Sequence, residues 1–174
     1  MKKTPYKGLP LFLALAAALF IYLGFARDAG GGLSIRPGTD KASSTPPLTE
    51  ITGPHVFIGE ARIRVEVATT TAAVRKGLSG RPGLEEDEGM LFIFPVADIY
   101  RFWMPDMNFP LDIIWIMDGV VVDISRNVSN EFDPAKPVFY SPREKATQVL
   151  EVNAGYAERH RIEIGDRVVL RNIF

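Results

Sequence analysis

The sequence predicts a mainly β domain, either a small barrel-like sheet or a compact α+β unit with one or two short helices, preceded by an N-terminal hydrophobic helix. Three observations carry that prediction. Between Gly89 and Ile124, short apolar strand-like runs crowd together with both tryptophans and four of the five methionines. Within that stretch DIIWIM and VVVDI flank Asp118-Gly119, a dipeptide that supplies the positive φ angles of a two-residue hairpin turn. Far upstream, MKKTPYKG sets three lysines ahead of LPLFLALAAALFIYLGFA, an unbroken apolar run of about eighteen residues.

The elements follow in chain order. Residues 1–26 combine a basic start with a run just long enough to span a bilayer, and Gly24-Phe25-Ala26 offers small residues to a signal peptidase. Signal anchor and cleaved signal peptide both fit; either keeps the lysines cytoplasmic and places the remainder outside, at the inner membrane facing the periplasm or exterior, or secreted. Residues 27–54 are rich in Gly, Ser, Thr and Pro without apolar periodicity and form a linker that spans on the order of 30 Å as a flexible coil. Residues 55–174 form one β-rich domain. In it HVFIG and ARIRVEVA read as strands, the second alternating Ile63, Val65 and Val67 with Arg62, Arg64 and Glu66. Thr69 to Thr71 offer caps for a short helix, TAAVRKGLSG, with Val74 and Leu78 facing inward. GRPGLEEDEG is a polar loop. MLFIF, YRFWM, DIIWIM and VVVDI follow as strands, then a long irregular connection from Arg126 to Ala146. TQVLEVNAG is a strand entering a helical turn, and IEIGDRVVLRNIF ends the chain as two short strands about Gly165-Asp166.

The motif order carries a resemblance. Arg75-x-x-Leu78-x-x-Arg81, Gly89-Met-Leu-Phe92, Phe102-Trp-Met104, Phe109-Pro-Leu-Asp112, Val149-Leu-Glu151, Asn153-Ala-Gly155 and Gly165-Asp166 together resemble the family catalogued as domain of unknown function 192. The resemblance covers about 115 residues, from the linker to the end. It implies a small β-barrel-like fold with short helices and an exported or membrane-anchored protein, and it brings no established activity. One departure stands out: where the family usually carries Lys-Asn after Trp-Met, this chain has Pro105-Asp106, so a basic group is lost at a strand end.

Charge and composition exclude several functions. Residues 1–50 hold six basic and three acidic side chains, the rest 14 basic and 18 acidic, a mildly acidic balance that argues against a nucleic-acid partner. The absence of cysteine excludes a disulfide framework and thiol catalysis. Nucleotide-binding glycine motifs and serine elbows are absent, and His55 and His160 have no local catalytic company. Met90, Met104, Met107 and Met117 are better suited to filling core gaps than to binding copper. No cofactor is expected.

Five residues remain as site candidates: Arg75, Arg81, Trp103, Asp112 and Glu151. Asp112 opens an apolar strand and Glu151 sits inside VLEV, so both carboxyls are drawn toward apolar surroundings, where a guanidinium satisfies them with paired hydrogen bonds. Two readings stay open: Arg75 or Arg81 staples the helix to the sheet through Asp112 or Glu151, or a recessed arginine grips an anionic ligand group. Arg75, at the edge of the buried helical stripe, suits the second. Trp103, with Tyr100, Phe102, Phe109 and Trp115, offers an aromatic surface, although alternation sends Phe102 and Trp103 to opposite faces. The expected function is a binding or accessory domain for a small anionic or carbohydrate ligand or an envelope protein. The alternatives are an envelope hydrolase using Asp112 and Glu151 as a carboxylate pair, and an assembly factor docking on a membrane complex.

Overall fold

Strand pairing begins where the apolar alternation begins. The computed structural model describes residues 51–174, so the apolar helix expected over 1–26 and nearly all of the 27–54 linker lie outside the described residues. Among these, seven strands form one sheet: β1 (His55–Ile58), β2 (Ala61–Ala68), β3 (Glu88–Asp98), β4 (Leu111–Met117), β5 (Val120–Val128), β6 (Ala146–Asn153) and β7 (Val168–Arg171). Their order is β5-β4-β6-β3-β2-β1-β7, and two short helices, α1 (Thr71–Lys76) and α2 (Tyr156–Arg159), complete the domain. The mainly β expectation holds as a curled half-barrel. Only β2 and β3 run parallel, joined by the crossover that contains α1; the other neighbours are antiparallel. At one end the sheet's two edges meet: Val121 N–H donates to Asp166 O at 2.9 Å, and Gly165 N–H donates to Val121 O at 2.8 Å.

Alternation sorts the core onto two faces. Enclosed by the curl lie Ile63, Val65, Leu91, Ile114, Ile116, Leu150 and Val152, packed with Tyr156 and Ala157 of α2. The outer face carries Met90, Phe92, Ile113, Trp115 and Val149, covered by Leu78 and Met104 from the connecting segments. The hairpin between β4 and β5 turns at Asp118 (φ 50°) and Gly119 (φ 72°), both left-handed as the Asp-Gly pair predicts. Gly89 has a different reason to be glycine: a Cβ there would lie 2.6 Å from the Glu151 carbonyl oxygen on β6.

Three expected elements differ. The helix ends at Lys76 rather than running through Gly80, because Gly77 (φ 48°) closes it by donating to Ala73 O and redirects Leu78 onto the outer core. YRFWM is not a strand; it crosses over the outer face, where Phe102 packs edge-on against Phe92 and Trp115, and it keeps a single bridge to Tyr140. Only the second of the two C-terminal strands forms. The first, around Ile162–Ile164, is a tight turn in which Asp166 accepts from Glu163 N–H at 2.8 Å while its backbone closes the sheet.

Candidate functional site

Two segments stand over the outer face as facing walls. One is α1 with the turn after it, capped by Thr70, whose Oγ1 accepts from Ala73 N–H at 3.2 Å. The other is the 101–107 crossing segment. They are tied at one end: Ser79 Oγ donates to Pro105 O at 2.8 Å and Gly80 N–H donates to Asp106 O at 2.8 Å. The Pro105-Asp106 pair therefore forms a turn (Asp106 φ 55°) whose two carbonyls hold the walls together. Between the walls is a cavity of about 380 Å³. That lies toward the small end of the ligand pockets of globular proteins, roughly 300–1,000 Å³.

The bore of this cavity is apolar, lined by Leu78, Phe92, Phe102, Met104 and Met107. Glu151 forms its floor. It faces outward from β6, flanked across the sheet by Met90 and Ile113, and is only 5% exposed. Among the described residues it has neither a hydrogen-bond nor an ion-pair partner. No fully sealed polar side-chain atom is left unpaired there, so the Glu151 oxygens open onto the cavity. Burial alone pushes its carboxyl up from the ordinary 4.5 to about 8, which leaves it a neutral acid with an O–H to donate at pH 7.

The mouth has the opposite character. Arg75, Lys76 and Arg101 line it, none within ion-pair distance of a described acid. Trp103, 49% exposed, stands beside them, stacked on Phe139 (centroids 5.7 Å apart, planes 10° from parallel) with Phe132 edge-on at 5.6 Å. The Arg101 guanidinium sits 4.1 Å over the Phe139 ring, a cation–π contact that fixes its position at the rim.

Of the five residues singled out in the sequence, the structure brings Arg75, Trp103 and Glu151 to this one cavity and leaves Arg81 and Asp112 outside it. Arg81 does act as a staple to the sheet, but its partner is Glu66 of β2, reached by two bonds of 2.6 Å. That fork holds the Glu66 carboxyl below the usual carboxylate range. Among the described residues Asp112 takes no guanidinium. It faces the enclosed core and accepts two backbone N–H groups, Asn127 at 2.8 Å and Ala157 at 2.9 Å. In register Asp112 pairs with Val152 and Ile113 with Glu151, so the two carboxyls point to opposite faces of the sheet. A carboxylate-pair hydrolase built on them is excluded, because no substrate touches both. Tyr100 and Phe102 pack on the outer core and Trp115 is fully buried, which leaves Trp103 as the exposed member of that aromatic set.

Arg101 was legible but passed over: it is the sole cation between Gly89 and Ile124. Phe132 and Phe139 gave no local signal, since long-range packing alone brings their loop to Trp103.

Residues 55–170 match the family domain of unknown function 192, described as an uncharacterized ACR. The chain belongs to the domain of unknown function 192 family. A crystal structure from Novosphingobium aromaticivorans, of a protein of unknown function, is similar at 34% identity and TM-score 0.60, covering 66% of this chain and 83% of that one. A second, from Sinorhizobium meliloti, is named as a candidate transcription regulator; it is similar at 29% identity and TM-score 0.60, covering 67% of this chain and 91% of that one. No curated protein matches the chain. Within this family member, the motifs that carried the resemblance fall on two tasks. Phe102-Trp-Met104 and Glu151 build the cavity, while Asp112 and Asn153 brace the frame, Asn153 donating to Glu85 O at 2.9 Å.

Proposed function

We propose that this protein is a binding domain, and that the cavity between α1 and the 101–107 segment takes a small anionic ligand. The observation that carries the reading is Glu151: a buried carboxyl with no partner among the described residues, opening onto an apolar cavity whose mouth holds three cations outside ion-pair distance of any described acid. A carboxyl kept only for packing would cost stability without return, whereas a ligand supplies the missing hydrogen bonds. Arg75 and Arg101 are suited to fork a carboxylate or phosphate, and Trp103 offers an exposed face to the ligand body. The apolar run of residues 9–26 supports a membrane-tethered or exported placement, with the domain outside the cytoplasm and a ligand drawn from the envelope. Among the described residues no helix is long and apolar enough to cross a membrane. Transcription regulation, the role suggested for the Sinorhizobium meliloti chain, is opposed here by the net acidic composition after residue 50, with 14 basic and 18 acidic residues.

The test is a calorimetric titration of the full-length protein with aryl and alkyl carboxylates, sugars and sugar phosphates, alongside Trp103 emission. A ligand of this kind binds the wild type and loses roughly 10- to 100-fold in affinity in Arg75→Ala, the equivalent of a charge-assisted hydrogen bond of about 1.5–3 kcal/mol. Binding unaffected by both Arg75→Ala and Trp103→Ala would place the ligand elsewhere and end the proposal.

A further inference from the structure

The two ends of the cavity differ in a way that names the ligand's chemistry more closely, on the footing that the cavity is a binding site. Its charge lies entirely at the mouth, with Arg75, Lys76 and Arg101. The bore presents two phenylalanines, a leucine and two methionines, surfaces that hold an aromatic or alkyl body but no polar group. At the floor Glu151 stands among Met90, Ile113 and the bore, out of ion-pair reach of every described cation. A carboxyl so placed is held in its neutral form, because no described group offsets the loss of water around a charge. Neutral, it offers one O–H donor and one carbonyl acceptor on the same edge. A wholly apolar ligand tip would leave both unmet; an ammonium tip would have to be desolvated with no second acid to hold it.

We infer that the ligand is an anionic amphiphile with a neutral hydrogen-bonding tip, its anion held by Arg75 and Arg101 at the mouth and its tip, a hydroxyl or carbonyl, received by Glu151 at the floor. The acid group and the tip lie at opposite ends of an aromatic or short alkyl body. Glu151 is then the residue that reads the far end of the ligand, and the arginines read only its charge.

A matched set of probes tests this: 4-phenylbutanoate, its para-hydroxy analogue and its para-aminomethyl analogue, titrated calorimetrically into the full-length protein. The hydroxy probe is expected to bind at least about tenfold tighter than the parent in the wild type, the worth of one buried hydrogen bond. In Glu151→Leu that ratio falls to near one. Glu151→Gln, which keeps a donor and an acceptor, retains most of the ratio and guards against a folding defect in the leucine variant. Equal binding of hydroxy and parent probes, both weakened by Arg75→Ala, would overturn the inference while the cavity remains an anion-binding site. Tightest binding by the aminomethyl probe would overturn it in favour of an ion pair at the floor. No binding by any probe would overturn both the inference and the cavity reading.

Discussion

Asp112 and Glu151 sit on adjacent strands, one register position apart, both buried and both within apolar runs, yet their surroundings share almost nothing. Asp112 lies on the enclosed face where the frame has two backbone amides to satisfy. One is Asn127 N–H, freed from the ladder by the irregularity in β5 where the register slips between Leu111 and Ile113 and Asn127 takes φ 51°. The other is Ala157 N–H at the start of α2, whose own cap position is Gly155 and has no side chain to offer. Asp112 is thus a cap supplied from across the fold. Glu151, on the other face, meets no donor among the described residues and is left neutral over an open cavity. One carboxyl closes a gap in the frame; the other is itself the gap. Burial of an acid says little until its partners are counted.

The largest effect that separates the two is expected at Asp112. Asp112→Ala strands the buried Ala157 amide and the half-buried Asn127 amide, at about 1–3 kcal/mol for the first and less for the second, and should lower unfolding free energy by about 2–4 kcal/mol in denaturant titration. A loss under 1 kcal/mol would mean that the bulge and α2 find other acceptors. Next comes the pH dependence of Glu151. The folded chain keeps its proton up to about 8, whereas the unfolded chain releases it near 4.5, so the fold binds the extra proton throughout that window. Stability from this group is therefore complete below pH 4.5 and declines as pH rises toward 8, at up to about 1.4 kcal/mol per pH unit. Between pH 5 and 7.5 the wild type should lose about 3 kcal/mol relative to Glu151→Gln, and parallel profiles for the two would contradict it. Gly89→Ala presses a methyl against the Glu151 backbone and should cost about 1–3 kcal/mol by overpacking, seen as a lower melting temperature. The smallest effect belongs to Arg81→Ala, which removes an exposed pair with Glu66 and should cost less than about 1 kcal/mol while leaving ligand affinity unchanged.

The frame was readable in the sequence to the extent that its signals are local. Alternation in ARIRVEVA and the Asp118-Gly119 turn give β2 and the β4–β5 hairpin directly, since period and turn chemistry are properties of neighbouring residues. YRFWM misled because an apolar, aromatic run reads as a strand whether it lies in a sheet or across one; only the packing of Phe102 on Phe92 and Trp115 decides. The site was half readable. Arg75, Trp103 and Glu151 were marked by residue type, but pairing the two carboxyls required knowing their faces, and strand register sends Asp112 and Glu151 apart. Arg81 was the right staple with the wrong partner, because Glu66 comes near only through the parallel crossover from β2 to β3.

The protonation of one carboxyl decides most directly whether the cavity floor has a function. The side-chain carboxyl resonance of Glu151, followed from pH 4 to pH 10 in full-length protein carrying ¹³C-labelled glutamate and assigned with Glu151→Gln, reports it without reference to any ligand. The structure predicts a titration near 8, well separated from the exposed glutamates. A midpoint at the ordinary 4.5 would mean that water or a partner already satisfies Glu151, and the cavity floor would lose its claim to a function.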